Sequence, residues 1–153
     1  MLIERTIEEN MRGAFAAVLP DAEVIASRSP AAAGYVKGEA DSSASQIVAV
    51  SLGARQYDEF SRSTLNFTGA ITLSTRVEMC PTGEEHEDAL EEILSLLTYW
   101  HSDAEAMTDA LSCDGFYAAG LRLDGGQGKT FDRQAGVWTE TISFTLRGAF
   151  AAE

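Results

Sequence analysis

The sequence predicts an α+β protein with an antiparallel or mixed β-sheet, long hairpin strands, and helices packed on one face. Residues 64–79 and 136–150 each alternate apolar and polar side chains. Because successive side chains of a strand point to opposite faces, each stretch predicts a strand with one buried and one solvated face. A solvated face indicates an antiparallel sheet without a second helix layer. Apolar residues at helical spacing elsewhere predict helices segregated from these strands.

The composition predicts one acidic domain spanning residues 1–153. Of the 153 residues, 45% are hydrophobic, and the formal net charge is -13. An acidic surface repels phosphate backbones and disfavours a function that grips DNA. We find no signal-peptide pattern and no apolar run of membrane-spanning length, and therefore expect a cytoplasmic protein. Cys80 and Cys113 are most simply reduced thiols, although the sequence leaves a disulfide between them open.

The first part of the chain predicts a helix, a short strand and a loop. Apolar residues recur at helical spacing over residues 3–18, which predicts an amphipathic helix that ends before Pro20. Residues 23–27 predict a short strand. Small, polar and glycine residues dominate 30–45, so we expect a flexible loop there.

The middle of the chain predicts a β-hairpin. Residues 45–54 are apolar on both faces, which suits a central strand covered at least in part on both sides. The polar connection 55–63 then leads into the long alternating strand at 64–79. At about 3.3 Å per residue, that strand is longer than a small domain is wide. We therefore expect either a bend at Gly69-Ala70 or a projecting end.

Two helices are predicted after the hairpin. Thr82 and Glu85 have the spacing of a capping box, and acidic residues fill the first turns, where the helix dipole favours them. Ser102 and Glu105 predict the cap of a second, shorter helix. The predicted buried stripe of the first helix comprises Leu90, Ile93, Leu94, Leu97 and either Trp100 or His101.

The last part of the chain predicts a second hairpin. Residues 116–124 predict a strand, and a glycine-rich segment then predicts a flexible loop over 125–135. Residues 136–150 return to alternation and are the best partner for the strand at 64–79.

Motifs for catalysis or for cofactor binding are weak. Residues 125–130 look like the end of a phosphate-binding loop, but the motif's first glycine is replaced by Leu123 and no helix follows. Glu85, His86 and Asp88 could capture a metal adventitiously, although a solvated acidic helix face is the stronger interpretation. We predict no catalytic, cofactor-binding or metal-binding residues, and therefore not an enzyme.

Aromatic and basic residues on the connections and on the polar strand faces predict contacts with other subunits or partners. Tyr57 and Phe60 lie in a connection where nothing local would bury them, which fits both isolated exposure and an interface anchor. Arg76 and Arg147 lie on the predicted solvated faces of the long strands. The predicted interface residues are Arg55, Tyr57, Phe60, Arg62, Arg76, Lys129, Arg133 and Arg147.

The order of these pieces from about residue 45 to 150 resembles the tail terminator proteins of long-tailed, lambda-like bacteriophages. The likeness rests on the apolar strand and small-residue turn at 47–54, the acidic, aromatic-bearing loop at 56–63, and the alternating strand and acid-led helix that follow. Residues 132–138, Asp-Arg-Gln-Ala-Gly-Val-Trp, also resemble the family's entry into its last strand. The loops at 30–45 and 125–135 look longer than the family norm.

The resemblance implies a structural virion protein that forms a ring, expected to be a hexamer, which caps the tail tube and offers the surface for joining the head. Expected partners are further copies of the chain, the tail tube protein and a neck or head-closure protein, with no cofactor and no membrane. Genomic DNA would pass through the channel without specific binding. The expected location is the host cytoplasm during assembly and then the virion. Alternatives are another ring-forming neck or head–tail connector protein, a tail tube protein, or a small α+β ligand-binding domain or enzyme.

Overall fold

The computed structural model describes residues 2–28, 45–57, 63–78 and 82–150. These residues form an α+β fold with a six-stranded mixed sheet, which confirms the predicted fold class. The helices are α1 (Ile3–Val18), α2 (Glu84–Ser102) and α3 (Ala104–Leu111). The strands are β1 (Glu23–Ala26), β2 (Gln46–Leu52), β3 (Gln56–Tyr57), β4 (Thr64–Arg76), β5 (Phe116–Asp132) and β6 (Val137–Phe150). Apart from Ser45, the predicted loop 30–45 lies outside the described residues.

The strand order in the sheet is β1-β2-β4-β6-β5, with β3 also paired to β4. β1 runs parallel to β2, and the pairs β2–β4, β3–β4, β4–β6 and β5–β6 are antiparallel. β2 and β4 form the predicted hairpin partners, from Gln46 opposite Thr75 to Leu52 opposite Gly69. The two-residue strand β3, which we did not predict, continues along the same edge of β4.

The predicted pairing of the two long alternating stretches is confirmed. β4 and β6 pair without interruption from Thr64 opposite Ala149 to Arg76 opposite Val137. The pairing runs straight through Gly69, where we had expected a possible bend. Gly69 instead lies opposite Phe144, and a Cβ atom at Gly69 would overlap the Phe144 ring. The glycine therefore accommodates a buried aromatic side chain against the backbone.

β5 is longer than predicted, because the expected loop at 125–135 is mostly strand. Residues as far as Asp132 pair with β6, and register shifts occur along the way, including one between Leu123 and Gly125. A Cβ atom at Gly126 would overlap the backbone oxygen of Thr141 on β6. The glycines therefore permit a close approach of two strands, whereas the sequence pattern had indicated a loop.

A hydrophobic core lies between the described helices and one face of the sheet, here called the helix face. Buried side chains from α1, α2 and α3 belong to the same cluster as the apolar side chains of β1, β2, β4, β5 and β6. Phe15, Phe67, Phe116 and Phe144 are among its largest fully buried members. No helix in the described ranges is both long enough and apolar enough to cross a membrane.

The buried stripe of α2 differs from the prediction. Leu90 is only half-buried, and Leu94 is 37% exposed. His86, which we predicted on the exposed acidic face, is fully buried instead. Its ring finds polar partners in the sheet, and these partners compensate for the loss of water. The buried residues of α2 are His86, Ala89, Ile93, Leu97 and Trp100.

Both predicted helix caps are also shifted by one residue. The N-cap of α2 is Gly83, with φ 77°, while the Thr82 hydroxyl donates to the Glu85 carboxylate at 3.2 Å. α2 extends through Ser102, so the cap of α3 is Asp103, whose carboxylate accepts a hydrogen bond from the backbone N–H of Ala106 at 3.1 Å. Aspartate is at least as good an N-cap as serine, which explains the shift at α3.

Candidate functional site

The second face of the sheet is polar, and we call it the open face because the described helices all contribute to the core on the other side. Along β4 and β6, the side chains of this face are half-buried or exposed. Thr72 and Thr141 lie directly opposite each other on β4 and β6, with their hydroxyl oxygens 3.3 Å apart. The open-face positions of these two strands include Thr64, Asn66, Thr68, Thr72, Ser74, Arg76, Thr139, Thr141, Ser143, Thr145 and Arg147.

A cavity of about 460 Å³ lies at one end of the open face, where β3, β4, β6 and β5 run side by side. Register places Asn66 opposite Arg147, and Thr145 opposite Arg122. Gly120 has no side chain and borders the cavity, which deepens the surface there. The lining side chains that carry polar groups are Gln56, Asn66, Thr68, Arg122, Thr145 and Arg147.

An ion pair orients one side of this open-face cavity. Arg122 Nε donates to Asp124 Oδ1 at 2.7 Å, and a terminal nitrogen of Arg122 lies 3.4 Å from the Thr145 hydroxyl. The Thr145 hydroxyl in turn donates to the second oxygen of Asp124. These hydrogen bonds, first from Thr145 and then from Arg122, lower the pKa of Asp124. The guanidinium is therefore held beside the cavity with a defined orientation.

Arg55, one of the predicted interface residues, makes an internal contact. Its Nε and a terminal nitrogen donate to the two carboxylate oxygens of Glu4 at 2.7 and 3.1 Å. Glu4 is buried, and the hydrogen bond from Arg55 lowers its pKa despite the opposing effect of burial. The pair ties α1 to the connection that follows β2. We therefore assign Arg55 a structural contact within the chain, and its interface role stays a prediction.

Three further predicted interface residues, Tyr57, Arg147 and Arg76, lie toward opposite ends of the sheet. Tyr57 is 62% exposed and lies at the cavity end, with its ring 6.4 Å from that of Phe150. Arg147 borders the cavity itself. Arg76 lies opposite Val137 at the other end, ten positions along β4 from Asn66, or about 33 Å at the usual rise. The structure therefore does not bring Arg76 and Arg147 together.

The hairpin of β5 and β6 carries the other two predicted basic residues. Lys129 Nζ lies 5.4 Å from the centroid of the Trp138 ring and 3.9 Å from a carboxylate oxygen of Glu87. Arg133 is exposed in the turn between the strands. Phe60 and Arg62 lie outside the described residues.

A buried polar chain links α2 to the sheet and was missed in the sequence. Gln46 Nε2 lies 3.4 Å from Thr75 Oγ1, which lies 2.8 Å from His86 Nδ1. His86 Nε2 lies 3.1 Å from a carboxylate oxygen of Glu140. A hydroxyl, an imidazole and a carboxylate in this order are the groups that activate a nucleophile. Thr75 and His86 are fully buried, however, so the chain of contacts is closed to a substrate.

The sequence indicates the orientation of only some of the residues that line the open-face cavity. Arg122 alternates with Leu121 and Leu123, so its outward orientation was readable from the pattern. Its neighbours Asn66 and Gln56 come from distant parts of the chain, and only the strand register brings them together. Within the described ranges, no group of three or more His, Cys, Asp and Glu side chains is placed to hold a metal ion.

A scan of the chain against models of known protein families finds no match, and a search of curated proteins finds no matching relative.

Proposed function

We propose that this protein is a structural component of a bacteriophage tail, namely a tail terminator whose copies form a ring that caps the tail tube. The observation that carries the proposal is the open face. β4, β5 and β6 are 13, 17 and 14 residues long. In the described part of the chain, the helices pack on one side of the sheet that these strands form. A broad polar surface of this kind suits contacts between subunits that are rich in hydrogen bonds.

The distribution of candidate contact residues supports a ring. The cavity, Tyr57 and Arg147 lie toward one end of the sheet, whereas Arg76 and Arg133 lie toward the other. A ring needs two different patches on each subunit, because every copy binds one neighbour with one patch and the next neighbour with the other. Separated patches of different composition meet this requirement.

The order of elements adds support from the sequence. The apolar strand, the long alternating strand, the acid-led helix and the closing alternating strand follow one another as in lambda-like tail terminators. A net charge of -13 also suits a ring through which DNA passes without being bound. The partners that follow from this proposal are the tail tube protein and a neck or head-closure protein. The protein would act in the host cytoplasm during assembly and then remain in the virion.

The proposal is tested with the tail tube protein encoded in the same genome. Tube protein is polymerised with and without this protein, and tube length is measured by negative-stain electron microscopy. Tubes that carry a ring at one end and no longer grow on addition of fresh tube protein are the expected result. Tubes that grow equally in both reactions would reject a capping function.

The same experiment separates the alternatives within the phage tail. A tail tube protein would extend the tubes itself, and a connector of the neck would assemble without stopping tube growth. The open-face cavity favours a second candidate function of a different class, namely a ligand-binding domain. A thermal-shift screen with nucleotides and divalent metals tests that class, because a clear shift at low ligand concentration would favour it.

A further inference from the structure

Two leucines of α2 stay accessible, although the helical pattern of the sequence predicts both in the buried stripe. Leu90 is half-buried, and Leu94 is 37% exposed. They are four residues apart and therefore lie on the same face of the helix. Together with Leu123, Ile142 and the glycines of β5, they border a groove of about 230 Å³, which we call the leucine groove. A largely apolar groove at the surface indicates contact with another molecule.

The leucine groove is large enough for one aromatic side chain. On its β5 side it is bordered by bare backbone, because a Cβ atom at Gly128 would have no neighbour within 4 Å. An apolar cavity of about 150 Å³ accommodates a benzene ring. The leucine groove exceeds this volume and is open to the surface. A tyrosine or phenylalanine ring from outside therefore fits it.

The outer edge of β5 is open beside the leucine groove. Up to Leu121 this edge has partners, since the Thr108 hydroxyl donates to the backbone oxygen of Ala118 and His101 Nδ1 lies 2.8 Å from the backbone oxygen of Leu121. Beyond Leu121, no described residue outside the hairpin of β5 and β6 hydrogen-bonds to the backbone of β5. An uncovered edge that is rich in glycine allows another chain to approach closely.

Tyr57 supplies an aromatic side chain of the required kind. Among the described residues it is the most exposed large hydrophobic side chain, at 62%. It pairs with the buried Leu65, so its side chain lies on the helix-face side of the sheet. The ring of Phe150 lies 6.4 Å from its ring. Tyrosine is typical of interface hot spots, because it buries about 150–250 Å² with few rotatable bonds.

Tyr57 and the leucine groove lie on the same face of the sheet but at opposite edges. β3 borders β4 at one edge, whereas β5 forms the other edge. Leu65, the partner of Tyr57, lies opposite Gly148 on β6, and the groove residue Ile142 is six positions along that strand, or about 20 Å at the usual rise. The tyrosine therefore does not reach the groove of its own molecule. Copies placed side by side bring the tyrosine edge of one to the groove edge of the next.

We infer that the leucine groove is a docking site for Tyr57 from a second copy of this chain. The inference rests on the ring assembly proposed above and names two patches that form its subunit contact. An aromatic side chain at one edge and a matching groove at the other give a head-to-tail contact, which closes into a ring where the rotation between copies allows it. The open backbone of β5 then lies beside β3 of the neighbouring copy.

The test truncates the tyrosine and the groove wall separately. Assembly of the full chain is followed by sedimentation velocity and mass photometry over a range of protein concentrations. Tyr57→Ala is expected to raise the concentration needed for assembly by at least about tenfold, as for other aromatic hot spots. Leu94→Ala is expected to raise it by about fivefold, because less apolar area is then buried around the ring. Tyr117→Ala is the matched control, because Tyr117 is 55% exposed and lies on the open face, between the buried residues Phe116 and Ala118.

Two further measurements distinguish a direct contact from general damage. The chain with both Tyr57→Ala and Leu94→Ala is expected to assemble about as well as Tyr57→Ala alone, because the wall has no ring left to contact. A chain with Tyr57→Cys and Leu94→Cys is expected to give a ladder of covalent oligomers on oxidation with copper phenanthroline, since the two cysteines of neighbouring copies then lie within disulfide reach. Wild type and each single cysteine variant are the controls and should give no ladder.

The results separate this inference from the proposed function. Wild-type rings whose assembly is unchanged by Tyr57→Ala and Leu94→Ala, or losses that multiply in the double variant, overturn docking and leave the ring proposal standing. Self-association that depends on both residues but yields open chains supports docking and rejects the ring. A wild type that remains monomeric with and without tail tubes overturns both.

One further outcome identifies a different occupant of the leucine groove. If Leu94→Ala forms rings normally but no longer binds tail tubes, the groove receives the tube protein and docking of Tyr57 is overturned. Circular dichroism verifies that each variant is folded. Leu94→Gln, which keeps the length of the side chain, replaces a Leu94→Ala variant that does not fold.

Discussion

The carboxylate of Glu8 lies 3.1 Å from the backbone nitrogen of Leu52, and Glu8 is completely buried. The same carboxylate accepts hydrogen bonds from the Ser27 hydroxyl and from the backbone N–H of Arg28, and it pairs with the Arg28 guanidinium. Arg28 also donates to the backbone oxygen of Leu52 at 2.6 Å. One glutamate of α1 therefore joins the helix to the ends of β1 and β2.

Replacing Glu8 tests this connection. Glu8→Ala removes the acceptor of several buried donors and leaves Arg28 without its buried partner, so we expect the free energy of unfolding to fall by about 3–5 kcal/mol. Glu9→Ala is the matched control, because Glu9 pairs with Arg12 on the helix surface and the loss should stay below about 1 kcal/mol. Urea denaturation measures both variants. Equal losses would show that the Glu8 contacts contribute no more than a surface ion pair.

The neighbouring pair of Glu4 and Arg55 predicts an acid-dependent loss of stability. The pKa of Glu4 is lowered in the folded protein from its ordinary value of 4.5, chiefly by the hydrogen bond from Arg55. Since the folded pKa is the lower one, the stabilisation is present above pH 4.5 and is lost as pH falls through the folded pKa. We expect the stability difference between wild type and Glu4→Gln to be largest near neutral pH and to shrink below pH 4.5.

Urea denaturation of both proteins at a series of pH values from neutral to acidic checks this prediction. Arg55→Gln is the companion variant, because it removes the cause of the pKa shift and leaves Glu4 in place. A stability difference that remains constant across the series would contradict the assigned role of the pair.

The burial of His86 predicts that the two histidines differ in their contribution to stability. His86→Ala removes the partner of Thr75 and Glu140 and leaves a buried gap, so we expect a loss of about 1–3 kcal/mol. His101→Ala serves as the comparison, because His101 is exposed and its Nδ1 lies 2.8 Å from the backbone oxygen of Leu121. Thermal unfolding of the two variants should show a clearly larger loss for His86. The reverse order would place His86 on the surface, as its acidic sequence neighbours had indicated.

Alanine substitutions at two glycines of β5 test whether this segment is a strand or a loop. Gly126→Ala places a methyl group against the backbone of Thr141, so we expect a loss of about 1–3 kcal/mol from overpacking. Gly128→Ala is the matched control two residues away, where an added Cβ atom has no neighbour within 4 Å. Chemical denaturation measures the difference between the two variants. Equal effects would indicate that the segment is a loop after all.

The sequence predicted those features that depend on local periodicity. Alternation identified β4 and β6 as partners, and helical spacing identified the bounds of α1. Predictions failed where a distant group decides the outcome. Gly126 was predicted in a loop, but it lies in a strand against the backbone of Thr141. His86 was predicted on the surface, but it is buried with Glu140 as a partner.

The candidate site was less predictable than the fold for the same physical reason. Arg147 was selected from its own strand, whereas the cavity that surrounds it also requires β3 and β5. Arg55 was predicted as an interface residue because it lies in a polar connection. Its partner Glu4 is far away in sequence, and only the packing of α1 brings the two together. A polar residue in a connection can serve an internal or an external contact, and its sequence neighbours do not distinguish the two.

The measurement that tests the central claim most directly is electron microscopy of tail tubes incubated with gold-labelled copies of this protein. The account predicts gold confined to one end of each tube, over a closed ring of subunits, and tubes that no longer elongate from that end. Gold distributed along the tube walls, or tubes without gold beside a protein that remains monomeric, would contradict it.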